Sequence, residues 1–278
     1  MNKLKRLCAI NDISCFGKCS LTVAVPVINA FGIEVSVLPT ALLSAHTGFS
    51  GSTFLDLSEE MEKIITHFDE LNVRFDCLYS GFIASGQQID IVKDFFKSNA
   101  SALKIADPVM GDNGKPYKTY TKEMCTKIKS LVHLADITTP NYTEACFLLD
   151  KPYASPTETV IKSYLKEISD LGPRFVIITG VHMDNQMYTF AYDKKTGEHF
   201  SFNSPLLPCS LSGSGDLFCS IVAGCFLDNY TYKQAVQMAF YYTYDCIKRT
   251  LETDSQNILF EEKLYTFSAN RLRNNTSF

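Results

Sequence analysis

The sequence predicts an α/β fold: a three-layer α/β/α sandwich with a mainly parallel central sheet. Short apolar segments alternate along the chain with amphipathic segments of ten or more residues, and strands joined by helices of that length form right-handed βαβ units. Such units place helices on both faces of the sheet. No repeat, low-complexity segment or linker divides the 278 residues. We therefore expect one domain over 1–278, with a loose polar tail at 270–278.

The first half of the chain shows the clearest alternation. A buried strand is predicted over 7–10, followed by a helix over 21–31 that Gly32 ends. The next strand, 34–39, leads to a helix over 58–71, which begins with a serine and two glutamates and repeats apolar residues on one face. The remaining elements of this half are strands over 75–79 and 103–106 and a helix over 87–96.

The second half adds the remaining helices and an antiparallel edge. Its most apolar strand is predicted over 175–179, and strands over 187–192 and 198–202 flank a Lys-Lys-Thr-Gly turn, which is typical of a hairpin at the sheet edge. A further strand is predicted over 136–139. Helices are predicted over 121–132, 144–149, 158–168, 217–227 and 232–248.

Composition limits the classes of partner. The chain has 26 basic and 30 acidic residues, a net charge of −4, and no cluster of lysine or arginine. Nucleic acids and anionic membrane surfaces attract basic patches, so we expect neither as a partner. Hydrophobic residues make up 46% of the chain and charged residues 20%, which excludes a disordered or fibrous protein.

The cysteines and the N-terminus indicate the compartment. The ten cysteines include no Cys-x-x-Cys pair and the five histidines have no zinc-ligand spacing, so we expect reduced structural thiols and no zinc. The apolar run over 7–10 is too short for a signal peptide. The most apolar stretches, 19–33 and 217–227, are too short to span a bilayer. We therefore predict a cytoplasmic protein.

The strongest chemical signal is the segment Leu-Ser-Gly-Ser-Gly-Asp-Leu-Phe over 211–218. Gly213 and Gly215 allow the backbone to turn sharply around Ser214, so that several N–H groups and the positive end of the following helix can form an anion hole. Asp216 beside that hole can take a proton from a hydroxyl that attacks a phosphoryl group held there. The alternative is that Asp216 only caps the helix.

Two further segments follow predicted strands, where the loops of a parallel sheet form a ligand crevice. Asp107 and Asp112 lie five residues apart after one strand and suit a Mg²⁺–phosphate complex, although a solvated turn would also explain them. After the next strand, Asn141 and Glu144 can hold water around Mg²⁺. Their spacing also fits a capping box at a helix start, and both interpretations stay open.

A fourth segment, Ser-Ala-His-Thr-Gly over 44–48, follows the second strand. Its polar side chains, His46 and Thr47 among them, can bind a heteroaromatic substrate, whereas the simpler interpretation is a hydrogen-bonded loop histidine. The chain has neither a Walker A motif nor a dinucleotide fingerprint after the first strand. If it binds ATP, it therefore uses another phosphate cradle.

Taken in order, these segments resemble the ribokinase superfamily and, within it, the vitamin B6 kinase branch. The resemblance extends from about residue 7 to residue 227 and includes the final helix. It rests on five segments: Asp12-x-Ser14-x-x-Gly17, His46-Thr47-Gly48, Asp107–Asp112, Thr139-Pro-Asn141-x-x-Glu144 and Gly213-Ser-Gly-Asp216-Leu-Phe218. The resemblance implies ATP-dependent phosphorylation of the 5′-hydroxyl of pyridoxal, pyridoxine or pyridoxamine, with ATP·Mg²⁺ bound at the carboxyl edge of the sheet.

The resemblance also implies roles for individual residues. Asp216 is the general base, and the backbone of Gly213, Ser214 and Gly215 stabilises the transferred phosphoryl group. The residues expected at the substrate are Asp12, His46 and Thr47. Those expected at the metal are Asp107, Asp112 and Glu144. Those expected at the nucleotide are Asp112, Tyr117, Asn141 and Thr179. Enzymes of this branch are usually homodimers and often respond to a monovalent cation such as K⁺.

One departure from the branch leaves other functions open. Many B6 kinases have Ser where this chain has Asp12, and Asp12-x-Ser14 is more similar to the hydroxymethylpyrimidine (phosphate) kinases of thiamin biosynthesis. That branch, however, usually has Cys after the Gly-rich pair, where this chain has Asp216, and lacks His-Thr-Gly. A non-catalytic B6- or nucleotide-binding module is a remote alternative, because it has no need of a base at 216. A sugar kinase is another, but 12–39 leaves no room for its lid strands.

Asp12 also suggests a substrate preference. A carboxylate facing the C4 substituent of the pyridine ring would pair with the ammonium group of pyridoxamine, which the aldehyde of pyridoxal cannot offer. A buried charge-assisted hydrogen bond is worth ~1.5–3 kcal/mol, or about ten- to a hundred-fold. Pyridoxamine is therefore expected to be preferred. The alternative is that Asp12 hydrogen-bonds the ring nitrogen or a nearby backbone N–H.

Overall fold

The computed structural model describes residues 4–117, 120–209 and 211–268, and the tail at 270–278 lies outside them. The strands are β1 (Arg6–Ser14), β2 (Glu34–Leu43), β3 (Phe54–Asp56), β4 (Cys77–Ser80), β5 (Leu103–Ala106), β6 (Gly111–Asp112), β7 (Lys115–Pro116), β8 (Ile137–Thr138), β9 (Phe175–Met183), β10 (Gln186–Asp193) and β11 (Glu198–Pro205). The helices are α1 (Leu21–Ala30), α2 (Ser58–Glu70), α3 (Gly86–Ser98), α4 (Lys122–Val132), α5 (Tyr142–Leu148), α6 (Glu158–Leu171), α7 (Ser214–Leu227) and α8 (Tyr232–Leu251), with a 3₁₀ helix at Glu261–Lys263.

One large sheet organises the molecule. Nine strands pair in the order β11-β10-β9-β8-β5-β4-β1-β2-β3, while β6 and β7 form a separate small hairpin. The strands from β9 to β2 in that order are parallel to one another, and β10, β11 and β3 add antiparallel pairs at the edges. The parallel strands therefore all end along the same edge of the sheet, which is where their loops meet.

Helices cover both faces of this sheet. On one face α1, α7 and α8 bury an apolar layer that contains Phe31 and Phe240. On the other face α2 to α6 bury a second layer that contains Phe96. Neighbouring residues of β1 point into opposite layers, Leu7 into the first and Cys8 into the second. The predicted three-layer sandwich with a mainly parallel sheet is confirmed.

The sheet edge beyond β2 differs from the prediction. Strand β2 continues past Pro39 to Leu43, and β3, which the sequence does not predict, pairs antiparallel with residues 41–43. At Pro39, β2 has a neighbour only on the β1 side, so a proline is tolerated within the strand. All of β3 is exposed, so no alternation of apolar and polar residues marks it in the sequence.

The ends of β9 and α7 also differ from the predicted ends. Strand β9 continues to Met183 because it pairs with β10 beyond the end of β8, whereas the prediction ends it at residue 179. Helix α7 begins at Ser214, three residues before the predicted start. Within the described parts of the chain, no helix is both long and apolar enough to cross a membrane.

A β-bulge interrupts the pairing of β1 with β2 close to the carboxyl end of β1, with the extra residue in β2. Asn11 lies opposite Pro39, but Ile13 lies opposite Leu42, so the register slips by one residue at Asp12. Bulges bend a strand and redirect its side chains, and they are common next to active sites. Here the bulge lies where the predicted site begins.

Candidate active site

The predicted site residues converge at the carboxyl edge of the parallel strands. Asp12 lies near the end of β1, Asp107 directly follows β5, and the first turn of α7 brings Asp216 to the same place. Their negative charges are close enough to act on one another, since Asp12 and Asp107 each interact with Asp216. The same edge carries Thr179, whose backbone forms a bridge with Asn141 just beyond β8.

Asn11 positions Asp216, and the sequence analysis missed it. Its Oδ1 accepts hydrogen bonds from the N–H groups of Asp12 (3.0 Å) and Phe82 (2.8 Å), which fixes the orientation of the amide. Its Nδ2 then donates to Oδ1 of Asp216 at 3.1 Å. A Cβ at Gly81 would lie 2.3 Å from this Nδ2, so the contact requires glycine there. A buried asparagine at the end of an apolar strand is the signal that could have identified it.

Asp216 does not cap helix α7, so that alternative is wrong. The N-cap residue is Gly213, and Asp216 lies within the first turn. Gly213 has a φ of 83°, and a Cβ on it would lie 2.1 Å from the carbonyl oxygen of Lys18, so only glycine fits. The first-turn N–H groups of a helix have no intrahelical acceptor. They and the side chain of Asp216 therefore occupy the same end of α7, as an anion hole with a base requires.

Burial raises the pKa of Asp216 to about 6, and the negative charge of Asp12 acts in the same direction. The backbone N–H of Ser20 and the amide of Asn11 oppose this by stabilising the carboxylate. The result is a carboxyl group that is mostly ionised at neutral pH yet more basic than an exposed aspartate. A general base is most effective when its pKa lies close to the working pH.

Asp12 is buried and held by two hydroxyl groups. Ser14 Oγ donates to its Oδ2 at 3.0 Å, and Ser20 Oγ donates to its Oδ1. Burial raises the pKa of Asp12, although both hydroxyls act to lower it. Neither of the two partners proposed for Asp12 from the sequence, an ammonium group or a ring nitrogen, is needed to satisfy these oxygens in the free protein.

His46 is buried with one ring nitrogen unpartnered. Its Nδ1 accepts a hydrogen bond from the N–H of Gly48 at 3.1 Å, so the proton of the neutral ring lies on Nε2, which is buried and has no hydrogen-bond partner. A Cβ on Gly17 would lie 2.1 Å from the ring, so glycine on each side fixes the imidazole. Burial lowers the pKa of His46 against the effects of Asn257 and Asp12. His46 is therefore a neutral imidazole at neutral pH.

Thr47, next to His46, is exposed and accessible to a ligand.

Cys19, close to Asp12 and Asp216, is buried, and burial together with the charges of Asp216 and Asp12 raises the pKa of its thiol to about 12. A thiol with so high a pKa is protonated and unreactive at neutral pH. This agrees with the structural role expected for the cysteines, although Cys15 is exposed.

Asn141 and Glu144 form the capping box that the sequence left open. Asn141 Oδ1 accepts from the N–H of Glu144 at 2.9 Å, and Glu144 Oε2 accepts from the N–H of Asn141 at 2.8 Å. The second oxygen of Glu144 accepts from the N–H of Met110 at 3.0 Å, and Asn141 Nδ2 donates to the carbonyl of Gly111 at 2.8 Å. The box therefore also anchors the loop that carries Asp107.

The small β6–β7 hairpin projects from that loop. Its turn residues, Asn113 and Gly114, both have positive φ values of 51° and 74°, which is typical of a type I′ hairpin. Asp112 accepts hydrogen bonds from the N–H and side-chain amide of Asn113, as in the solvated-turn interpretation. The N–H of Gly114 donates to Thr143 Oγ1 at 2.9 Å, which ties the hairpin to α5, and Tyr117, directly after β7, is 41% exposed.

Asp107 has the fewest hydrogen-bonding groups that favour its ionised form among the buried carboxyl groups of the site. It is 8% exposed, and burial together with the charge of Asp216 raises its pKa to about 8, with Thr139 opposing. A divalent cation would reverse this effect, because it favours the ionised carboxylate. The described residues contain no group of three or more His, Cys, Asp or Glu side chains arranged as metal ligands. Such an edge fits Mg²⁺, which uses one or two carboxylates and takes its other ligands from phosphate and water.

The raised pKa of Asp107 makes a prediction about stability. The folded state binds this proton more tightly than the unfolded state, so stability falls as pH rises from about 4, the ordinary aspartate value, towards the folded pKa of about 8. We expect Asp107→Asn to be about 1–3 kcal/mol more stable than the parent at pH 8, with a smaller advantage at pH 5. Urea unfolding at the two pH values measures this.

The matched control is Asp94→Asn, which removes an exposed carboxylate paired with Lys97. Its stability relative to the parent should not increase between pH 5 and pH 8. Equal stability of Asp107→Asn and the parent at pH 8 would contradict the assignment of an uncompensated charge to Asp107.

The chain is similar to kinases of small heteroaromatic compounds. A family model described as phosphomethylpyrimidine kinase matches residues 30–260. A provisionally named phosphomethylpyrimidine kinase of Bacteroides thetaiotaomicron VPI-5482, solved in a crystal form with pyridoxal, is 37% identical, with a TM-score of 0.92 and coverage of 96% of each chain. Pyridoxal kinase PdxY of Granulibacter bethesdensis is 26% identical over 268 residues, which cover 90% of this chain and 92% of the relative.

A more distant structure supports the fold. Pyridoxal kinase from Lactobacillus plantarum is 24% identical, with a TM-score of 0.90 over 98% of this chain and 99% of that one. The family model and the relatives named pyridoxal kinases together confirm the predicted resemblance to the vitamin B6 kinases of the ribokinase superfamily. With a family model that spans most of its length, the chain belongs to the phosphomethylpyrimidine kinase family.

Proposed function

We propose that this protein transfers the γ-phosphoryl group of ATP to the 5′-hydroxyl of a vitamin B6 vitamer: pyridoxal, pyridoxine or pyridoxamine. The observation that carries the proposal is the position of Asp216, a carboxyl group with a raised pKa in the first turn of α7. The names of the relatives, several of them pyridoxal kinases, supply the substrate class.

Asp216 acts as the general base. At neutral pH a carboxyl group with a pKa of about 6 is mostly ionised, so it can accept the proton of the 5′-hydroxyl as the oxygen attacks phosphorus. Asn11 and Ser20 keep the carboxylate oriented throughout. The bond from the 5′-oxygen to phosphorus forms as the bond from phosphorus to the β,γ-bridging oxygen of ATP breaks, and ADP leaves.

The turn at Gly213, Ser214 and Gly215 forms the anion hole. Phosphoryl transfer requires positioning and stabilisation of charge on the transferred group more than covalent help from the protein. Backbone N–H groups fixed before the reaction supply that stabilisation without having to reorient. No atom lies within 4 Å of a Cβ built on Gly215, so this side of the turn has room for a phosphoryl group.

Asp107 and Asp112 would hold Mg²⁺ together with the phosphates, and the ion would supply positive charge to the phosphate oxygens on which negative charge develops. Asp107 fits this role because it is buried and uncompensated. Glu144, with both carboxylate oxygens on backbone N–H groups, acts on the metal through water. Nucleotide contacts are assigned to Asp112, Tyr117, Asn141 and Thr179. A response to K⁺ stays a prediction from the resemblance.

The substrate ring is assigned to the pocket of Asp12, His46 and Thr47. The unpartnered Nε2–H of His46 can donate to a polar atom of the ring, and exposed Thr47 adds a second polar contact. The second candidate, phosphorylation of hydroxymethylpyrimidine or its phosphate, is favoured by the description of the family model. Both acceptors present a hydroxymethyl group on a heteroaromatic ring.

A substrate panel tests the reaction. Pyridoxal, pyridoxine, pyridoxamine and hydroxymethylpyrimidine are each incubated with ATP·Mg²⁺ and the parent protein or Asp216→Asn. We expect turnover of the B6 vitamers, and a fall in kcat of about 10²–10⁴-fold in the variant, which keeps the shape of the side chain but loses the base. Turnover of the pyrimidine alone would establish the second candidate instead. Unchanged kcat in the variant would remove Asp216 as the base.

The vitamer ranking tests Asp12. If its carboxylate meets the C4 substituent, pyridoxamine has a higher kcat/KM than pyridoxal by about tenfold, the lower end of a charge-assisted hydrogen bond, because two hydroxyl groups already donate to Asp12. Asp12→Ser should abolish the preference while retaining turnover of pyridoxal. A kcat/KM ratio of the two vitamers that is the same in the variant and the parent would refute the pairing.

The β2–β3 edge is proposed as a homodimer interface. It exposes four large apolar side chains: Val37, Leu42, Phe54 and Leu55. An exposed apolar sheet edge favours association with a second chain. We further propose that the described sheet and its helix layers form a single domain. We also propose that the protein is cytoplasmic, a compartment in which its ten unpaired cysteines would stay reduced.

Light scattering after size exclusion tests the dimer. The parent should elute with about twice the mass of one chain, and Leu55→Asp should shift it towards monomer, since a charge would be buried in the interface. Leu71→Asp, which alters an exposed leucine after α2, is the control and should remain dimeric. A monomeric parent, or equal effects of the two variants, would contradict the proposed interface.

A further inference from the structure

Ser20 has an unusual backbone conformation for a residue with a side chain. Its φ is 52° and its ψ is −129°, a combination that glycine adopts freely and that is strained for other residues. It lies directly before α1, where its side chain makes no capping hydrogen bond to the helix. Strain of this kind persists only where other contacts hold the backbone in place.

Ser20 contacts both of the carboxylates that matter for the proposed reaction. Its backbone N–H stabilises the carboxylate of Asp216, and its hydroxyl donates to Asp12. The hydroxyl therefore does not cap helix α1, because it donates its hydrogen bond to Asp12 of strand β1. The same residue thus joins a carboxylate of the substrate pocket to the base.

A second connection between these carboxylates passes through Asn11. The backbone N–H of Asp12 donates to Asn11 Oδ1, and Asn11 Nδ2 donates to Asp216. Together with Ser20 this closes a ring: Asp12, Ser20, Asp216, Asn11 and back to Asp12. The four members of the ring come from β1, the loop before α1 and the first turn of α7, so the ring fixes these three parts of the chain relative to one another.

We propose that Ser20 is a positioning residue for the base: its hydrogen bond to Asp12 holds the backbone in the left-handed conformation that aims its N–H at Asp216. This inference rests on the proposed role of Asp216. It predicts that the backbone conformation is what the reaction needs, while the hydroxyl serves to maintain it. Glycine, which adopts this conformation without help, should then replace serine better than alanine does.

The groups that act on the Asp216 carboxylate come from several elements. Besides Ser20 and Asn11, the charged and titratable groups around it are Asp12 of β1, Asp107 after β5, Cys19 before α1, Tyr79 of β4, Tyr117 after β7 and Cys219 of α7. None of these side chains changes in Ser20→Ala or Ser20→Gly. A difference between the two variants therefore reports the backbone at residue 20.

The test compares pH profiles of kcat/KM for the two variants. Ser20→Ala loses the hydroxyl but retains a Cβ, so its backbone relaxes and the N–H leaves Asp216. We expect kcat/KM to fall about tenfold and the acid limb of the profile to move up by about 0.5–1 pH unit, because the lost N–H stabilised the ionised base. In Ser20→Gly we expect a loss of no more than about threefold and a smaller shift of the acid limb.

Ser14→Ala is the matched control. It removes the other hydroxyl that donates to Asp12, but Ser14 lies in β1 with no positive φ and does not contact Asp216. Its acid limb should coincide with that of the parent. Acid limbs that move equally in Ser20→Ala and Ser20→Gly, or that move in Ser14→Ala as far as in Ser20→Ala, would overturn the proposal. If alanine prevents folding, a shift of 0.5 unit or more in Ser20→Gly alone overturns it.

A readout that does not need activity separates this inference from the proposed function. In protein labelled with ¹³C at the aspartate carboxyl, the Asp216 resonance, assigned with Asp216→Asn, should titrate at a higher pH in Ser20→Ala than in the parent or Ser20→Gly. Identical titrations overturn the positioning role even if B6 kinase activity is found. If the Asp216 resonance titrates at a higher pH in Ser20→Ala but the protein phosphorylates no vitamer, the positioning role of Ser20 is supported and only the proposed function is refuted.

Discussion

Repulsion between buried carboxylates is the constraint on which the site depends. Asp12, Asp107, Asp216 and Glu144 lie along one edge of the sheet, and burial raises the pKa of each. Each needs donors to stay ionised, and the local fold provides them unequally. The carboxylate of Glu144 accepts hydrogen bonds from backbone N–H groups, and that of Asp12 accepts them from two hydroxyl groups. The carboxylate of Asp216 is stabilised by the side-chain amide of Asn11 and the backbone N–H of Ser20. Asp107 has only Thr139 opposing its raised pKa, so it offers the most to an incoming cation.

This inequality explains how the same residues can be structural and functional. The capping box at Asn141 and Glu144 satisfies the start of α5 and anchors the loop that carries Asp107. The structural interpretation of these residues is therefore correct, and it leaves room for an indirect role at the metal. For Asp107 and Asp216, by contrast, burial raises the pKa to about 8 and about 6, so ionisation of either group destabilises the free protein. Such a cost is expected where groups are arranged for a ligand rather than for the fold.

The sequence predicts the parts of this arrangement that are local. Alternating strands and helices indicate the three-layer sandwich, and the Gly-rich turn before Asp216 indicates an anion hole. Strand β3 could not be predicted, because it is three exposed residues that pair only with the extension of β2. Burial at the end of an apolar strand could have marked Asn11 as a site residue, but its contact with Asp216, like that of Ser20, could not be predicted. These contacts span about two hundred residues and depend on the bulge between β1 and β2 and on a positive φ.

The fold and the proposed base, Asp216, do not distinguish the B6 vitamers from hydroxymethylpyrimidine as phosphoryl acceptors. Each compound has a hydroxymethyl group on a heteroaromatic ring, and its oxygen can approach Asp216 in the same way. The choice must come from the other end of the pocket, where His46 is fixed between Gly17 and Gly48 and Asp12 is held by two serines. A fixed neutral donor beside a fixed carboxylate discriminates by hydrogen-bonding pattern rather than by size. Because Ser20 connects Asp12 to the base, a substrate group that draws Asp12 away would also disturb Asp216. In the proposed mechanism, recognition of the substrate ring and activation of its hydroxyl are therefore coupled through Ser20 and Asn11, which both link Asp12 to Asp216.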